Sequence, residues 1–112
     1  MKIDVCSHII PKKFKEVFLK KTNTNALKAM ELIEQNPVLS DINIRLRLLD
    51  RYPDLLEVLL PALGPLETLV SPAQVPDLAK LNNDETAALV EKFPDKFLAA
   101  IALLPQNNIE AA

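Results

Sequence analysis

Glycine, cysteine and histidine each occur only once in this 112-residue sequence, whereas proline occurs nine times. A single cysteine cannot form an internal disulfide, which predicts a reduced, intracellular chain. With so little glycine, turns must be built largely from Pro, Asn and Asp. No apolar segment approaches the ~18 to 20 residues that span a bilayer. Met1-Lys2 opens onto a short apolar run broken by Asp4 and Pro11, which is not a secretory signal. A soluble cytoplasmic protein with no membrane partner is expected.

The charge is small but uneven. Net charge is −2, yet residues 1 to 28 carry seven lysines against Asp4 and Glu16, a local +5, and the remainder carries −7. Arginine and tyrosine are not interleaved with these lysines, as they are in nucleic-acid-binding surfaces, so the pattern predicts a solvated basic face and no nucleic-acid partner. At 49% hydrophobic, the chain is long enough for one modest domain or part of one.

Read in order, the first strand is predicted at about residues 2–8, with Ile3 and Val5 as apolar side chains and Pro11 ending the segment. A helical insertion is predicted over about 12–36, with Phe14, Val17 and Phe18 on one stripe and Leu27, Met30 and Ile33 on another. Thr24 or Asn25 would cap its second half, and Pro37 would close it. Residues 42–48 alternate apolar and polar as a strand does. However, Ser40 or Asp41 can cap a helix there, and Ile42, Leu46 and Leu49 share a helical face, so the pattern alone leaves this segment open.

The run at about 55–60 is nearly all apolar and suits a strand covered on both faces, as in a parallel sheet. A proline-punctuated loop holding Gly64 leads to a helix over about 75–93, with Pro76 in its first turn. A third strand follows at about 97–104, and Asn107 or Asn108 would cap a helix beginning near residue 109. Strand and helix alternating in this way predict an α/β fold with parallel strands and right-handed crossovers. Three such strands leave two open sheet edges, so the fold reads as incomplete and open to self-association or a complementing chain.

Candidate chemistry concentrates in Asp4-Val5-Cys6-Ser7-His8. A strand's two-residue repeat places Asp4, Cys6 and His8 on one face, a partial site for a metal or a proton transfer. Weaker candidates are Arg45, Arg47 and Arg51, which suit a carboxylate but read as surface or salt-bridging residues. Asn82-Asn83-Asp84 reads as packing and loop hydrogen bonding, and Ala62 and Gln106 follow strand ends.

The opening MKIDVCSHIIPKKF resembles the start of the amidohydrolase-related metal-dependent hydrolase family that includes aminocarboxymuconate-semialdehyde decarboxylase. There, an Asp-x-His-x-His-x-x-Pro run ends the first strand of a (β/α)8 barrel. Residues 45–50 resemble the family's helix before the second strand, which makes a helix over about 41–51 the preferred reading of that segment, and residues 81–105 resemble its next helix and third strand. The resemblance implies the first three βα units of a TIM-type barrel, with the site at the C-terminal ends of the strands. It also implies a divalent metal, usually zinc, with His8 and Cys6 as the ligands supplied by this stretch. The activity implied is hydrolysis or nonoxidative decarboxylation of a carboxylated small molecule.

Two departures stand out. Cys6 occupies the place of the family's first histidine; a thiolate is a competent zinc ligand that lowers the ion's Lewis acidity. The sequence also holds no second histidine, so the family's later ligand and catalytic histidine are missing, and the chain alone is expected to be inactive. Two other readings stay open. One is a non-catalytic interaction module that pairs through its sheet edges. The other is a thiol enzyme with Cys6 as nucleophile and His8 as base, against which stands the ordinary role of a lone cysteine as a small buried hydrophobe.

Overall fold

A computed structural model of the chain describes residues 1–21, 24–63, 66–105 and 110. Strand β1, Lys2–Ile9, leads through Pro11 into helix α1, Lys12–Lys21, followed by α2, Thr24–Glu34, and the short α3, Pro37–Ser40. Helix α4, Ile42–Leu49, precedes β2, Leu55–Pro61. Two 3₁₀ turns, Leu66–Thr68 and Pro72–Gln74, bring the chain to α5, Val75–Lys92, and then to β3, Phe97–Ala100. The three strands form one parallel sheet in the order β1-β2-β3.

Helix α1 forms where Phe14 and Phe18, one turn apart, bury a common stripe; their rings stack at 5.7 Å between centroids. Each buried phenylalanine contributes about 1.5–3 kcal/mol of apolar transfer. The first turn of α1 is capped from another element, since the Glu85 carboxylate accepts the backbone N–H of Lys13 at 3.0 Å and of Phe14 at 2.7 Å. In α2 the expected stripe is only partly used, with Met30 buried and Leu27 exposed. Pro37 does not close a helix but opens α3, where its missing N–H costs nothing.

The ambiguous segment at 42–48 is helical. Asp41 Oδ1 accepts from Asn43 N at 2.9 Å and Ile44 N at 3.3 Å, and Arg45 and Leu49, four residues apart, face inward. The helix ends at Leu49 rather than 51. Strands β1 and β2 each run one residue past their expected ends, to Ile9 and Pro61.

Strand β3 is shorter than expected, ending at Ala100 rather than 104. Odd-numbered residues of β2 pair toward β3, as the bonds Glu57 N to Lys96 O and Ile101 N to Leu59 O demonstrate. The next residue in that series is Pro61, which has no N–H, so the ladder stops there. The chain beyond is taken by α5 instead: Asn83 Nδ2 donates to Leu103 O at 2.8 Å, and Leu103 N donates to Asn83 Oδ1 at 2.7 Å.

Two apolar clusters form the core, the first among helices and loops beyond the strand ends and the second on the helical side of the sheet. One joins Ile10, Phe14, Phe18, Met30, Val75 and Leu78; the other joins Ile9, Leu49, Leu59 and Phe97. Register places Ile3, Leu56, Val58, His8 and Leu60 on the opposite face. There Ile3 is 45% exposed and Leu56, Val58 and Leu60 are half-buried, so β2 is not covered on both faces as its apolar run suggests. Val5 and Leu98, beside irregularities in the pairing of β1 and β3, are exposed as well. Among the described residues, no helix is long and apolar enough to cross a membrane. The side chains of Thr24 and Asn25, expected to cap α2, the expected cap at Asn107 or Asn108, the loop glycine Gly64, Gln106 and the start of a final helix lie outside what is described.

Candidate metal half-site

Cys6 and His8 are exposed near the C-terminal end of β1, with Cys6 Sγ 3.7 Å from His8 Nε2. The other ring nitrogen, Nδ1, lies 3.1 Å from the carbonyl oxygen of Pro61. A carbonyl only accepts, so Nδ1 carries the proton in that contact and the neutral ring leaves Nε2 as a bare lone pair beside the thiol. A histidine oriented in this way through its remote nitrogen is the usual arrangement of a metal-binding imidazole. Pro61 thus serves twice, ending the β3 ladder and aiming His8.

Asp4 does not join the pair. β1 holds one more residue than β2 between the pairings Asp4 with Glu57 and Ser7 with Leu59. This bulge breaks the two-residue alternation, so Asp4 shares the face of Ser7 and Glu57 while Cys6 and His8 turn to the other. Asp4 Oδ1 instead accepts the Cys6 backbone N–H at 3.0 Å. That bond holds the Asp4 carboxyl below its ordinary pKa.

Beneath the pair runs a buried polar network that sequence reasoning did not assemble. Arg45 Nε donates to Glu57 Oε1 at 2.9 Å, Arg45 Nη1 donates to His8 O at 2.8 Å and to Val38 O at 3.0 Å, and Ser7 Oγ donates to Glu57 Oε2 at 2.7 Å. It grips the Ser7 hydroxyl and the His8 carbonyl from the helical side while the His8 ring projects from the other. Arg45 is therefore salt-bridging, but buried rather than superficial; Arg47 and Arg51 are exposed. The signal in the sequence was Glu57 itself, a carboxylate within Leu55-Leu56-Glu57-Val58-Leu59-Leu60, because a buried charge requires a partner.

Other candidates take structural places. Asn83 clamps Leu103, as the hydrogen-bonding reading expects, and Ala62 packs against the first apolar cluster. A cavity of about 840 Å³ lies among residues of α1, α4 and α5, lined by neither Cys6 nor His8. Three of the carboxylates that line it are already engaged: Asp41 and Glu85 cap helices, and Glu34 pairs with Lys15 at 2.7 Å.

The two donors fit zinc as a pair. Bonds of ~2.3 Å to sulfur and ~2.0–2.1 Å to nitrogen at a tetrahedral angle separate the two ligand atoms by ~3.6 Å, close to the 3.7 Å between Cys6 Sγ and His8 Nε2. They do not complete a site, since among the described residues no group of three or more His, Cys, Asp or Glu side chains is placed to hold a metal ion. Cys6 is also exposed, so the reading of a buried thiol as a small hydrophobe does not hold. In comparisons with known proteins, no family model matches the chain, and neither does any curated protein.

Proposed function

We propose that this chain is the N-terminal βα portion of an amidohydrolase-like, metal-dependent enzyme, a hydrolase or nonoxidative decarboxylase of a carboxylated small molecule. Its contribution is the Cys6–His8 pair. The observation that carries this reading is the alignment of Cys6 Sγ with a His8 ring whose Nδ1 is engaged by Pro61 O. A parallel sheet with strands in sequential order and one face packed on an apolar cluster also suits the first units of a (β/α)8 barrel, whose other strands would cover the open face.

In this reading Cys6 and His8 hold a divalent ion, with zinc best matched to thiolate and imidazole donors. The bound ion supplies Lewis acidity toward a substrate oxygen or a water. Pro61 O orients the imidazole, and Arg45 with Glu57 fixes the backbone from which both donors project. The 112 residues contribute two donors and leave the rest of the coordination to another strand or chain.

The test is zinc stoichiometry and affinity for the purified chain alongside Cys6→Ser and His8→Ala, with turnover assayed on simple carboxylated substrates. Zinc bound through both residues without turnover is expected. Zinc binding unchanged in both variants, or robust turnover by the chain alone, overturns the proposal.

A second reading, an interaction module that pairs through its sheet, is favoured by one observation: the exposed apolar face around Ile3, Val5 and Leu98. It is compatible with a metal at the same face.

A further inference from the structure

We infer that Cys6 and His8 are half of a zinc site completed by a second copy of this chain, the two sheets meeting through their open faces to give one ion two thiolates and two imidazoles. The inference rests on the metal reading of the pair proposed above but not on its catalytic part: four protein donors close the coordination, so the ion between two copies is structural and leaves no position for substrate or water.

Three observations converge. The first is donor count. A closed structural zinc site takes four nitrogen or sulfur ligands, whereas the sequence holds one cysteine and one histidine. Two copies related by a twofold axis, with the ion on that axis, supply four such ligands, because each surface in such a contact meets its own equivalent.

The second is geometry. The 3.7 Å between Cys6 Sγ and His8 Nε2 suits two ligands of one tetrahedral ion. Both side chains are exposed and share the face opposite the cluster that holds Ile9, Leu59 and Phe97. Sheets packed face to face lie ~10 Å apart, so an ion at their mid-plane sits ~5 Å from each backbone, within reach of a thiolate and an imidazole nitrogen.

The third is the character of the face. By strand register it presents Ile3, Leu56, Val58 and Leu60 around the pair, with no charged side chain among them. An uncharged apolar face meets its own copy without like-charge repulsion, which favours a second copy over a charged partner. The bulge in β1 contributes directly, because it turns the Asp4 carboxylate away from this face.

Sedimentation of the full chain in the presence of a non-chelating reductant, with and without zinc chloride, tests the inference. Expected are one zinc per two chains and self-association tightened ~100-fold when free zinc is ~100 times its dissociation constant. Chelation should reverse the effect. Cobalt in place of zinc should display the absorption of a tetrahedral ion with thiolate ligands. Cys6→Ser and His8→Ala, each checked for folding by circular dichroism, should lose the zinc response. Val58→Lys should weaken the dimer while leaving the donors in place.

Zinc bound by Cys6 and His8 at one ion per monomeric chain overturns the second-copy inference and leaves the metal reading standing. Zinc that binds independently of both residues overturns both. A dimer that forms equally well without zinc and in Cys6→Ser overturns the intersubunit site.

Discussion

Arg45 Nε lies 2.9 Å from Glu57 Oε1, and the side chains of the two residues are only 4% and 11% exposed. The same guanidinium donates to His8 O, so a pair that joins α4 to β2 also restrains the strand segment carrying Cys6 and His8. Breaking a buried pair leaves one charge without compensation. Arg45→Met should therefore cost about 3–5 kcal/mol, read as a lower urea midpoint at an unchanged m-value. Arg45→Met combined with Glu57→Leu should cost less than Arg45→Met alone. An additive double variant would mean that the two charges act independently.

The contact of His8 Nδ1 with Pro61 O specifies a tautomer. Nitrogen-15 correlation spectra of the neutral ring should report the proton on Nδ1 and an unprotonated Nε2. A dominant Nε2–H form would remove the lone pair from the side facing Cys6 and contradict the donor arrangement.

Glu85 caps α1 through the N–H groups of Lys13 and Phe14. Glu85→Ala should destabilise the fold by about 0.5–2 kcal/mol, the usual range for removing a cap. Glu85→Gln, which keeps an acceptor oxygen, should recover part of that. Thermal unfolding of the two variants in parallel gives the comparison.

Asn83 holds both backbone groups of Leu103. Asn83→Ala should cost about 1–3 kcal/mol, since half-buried groups lose their partners. Hydrogen exchange should accelerate at the Leu103 amide more than at Leu59 in the central strand. Equal acceleration at both would indicate global destabilisation instead of a released segment.

Asp4 supplies the pH dependence. Its folded pKa lies below the ordinary aspartate value of 3.8, mainly through the Cys6 N–H. A carboxylate with a depressed folded pKa stabilises the native state above its unfolded pKa, and that contribution is lost as pH falls through the folded value. Asp4→Ala should therefore narrow its stability gap to the parent protein as pH drops below 3.8. A gap that widens in acid would reverse the sign.

Much of the architecture was legible because its signals are local. Pro11, Pro61 and Pro76 mark element boundaries, Asp41 reads as an N-cap, and Phe14 with Phe18 reads as one turn of a buried stripe. The Cys6–His8 pairing followed from a strand's alternation, as did the mistaken inclusion of Asp4, because a bulge is defined by the partner strand and leaves no mark in β1 alone.

The sequence by itself determined which donors exist, one thiol and one imidazole two residues apart, and where the three strands and α5 begin. Tertiary structure decided how those donors can be used. It set the His8 tautomer through Pro61, 53 residues away, buried Arg45 against Glu57, ended β3 at a proline on its neighbour and turned Asp4 from the pair. Each of these depends on hydrogen-bonding partners brought together by pairing and packing between segments distant in the chain, which no local pattern encodes.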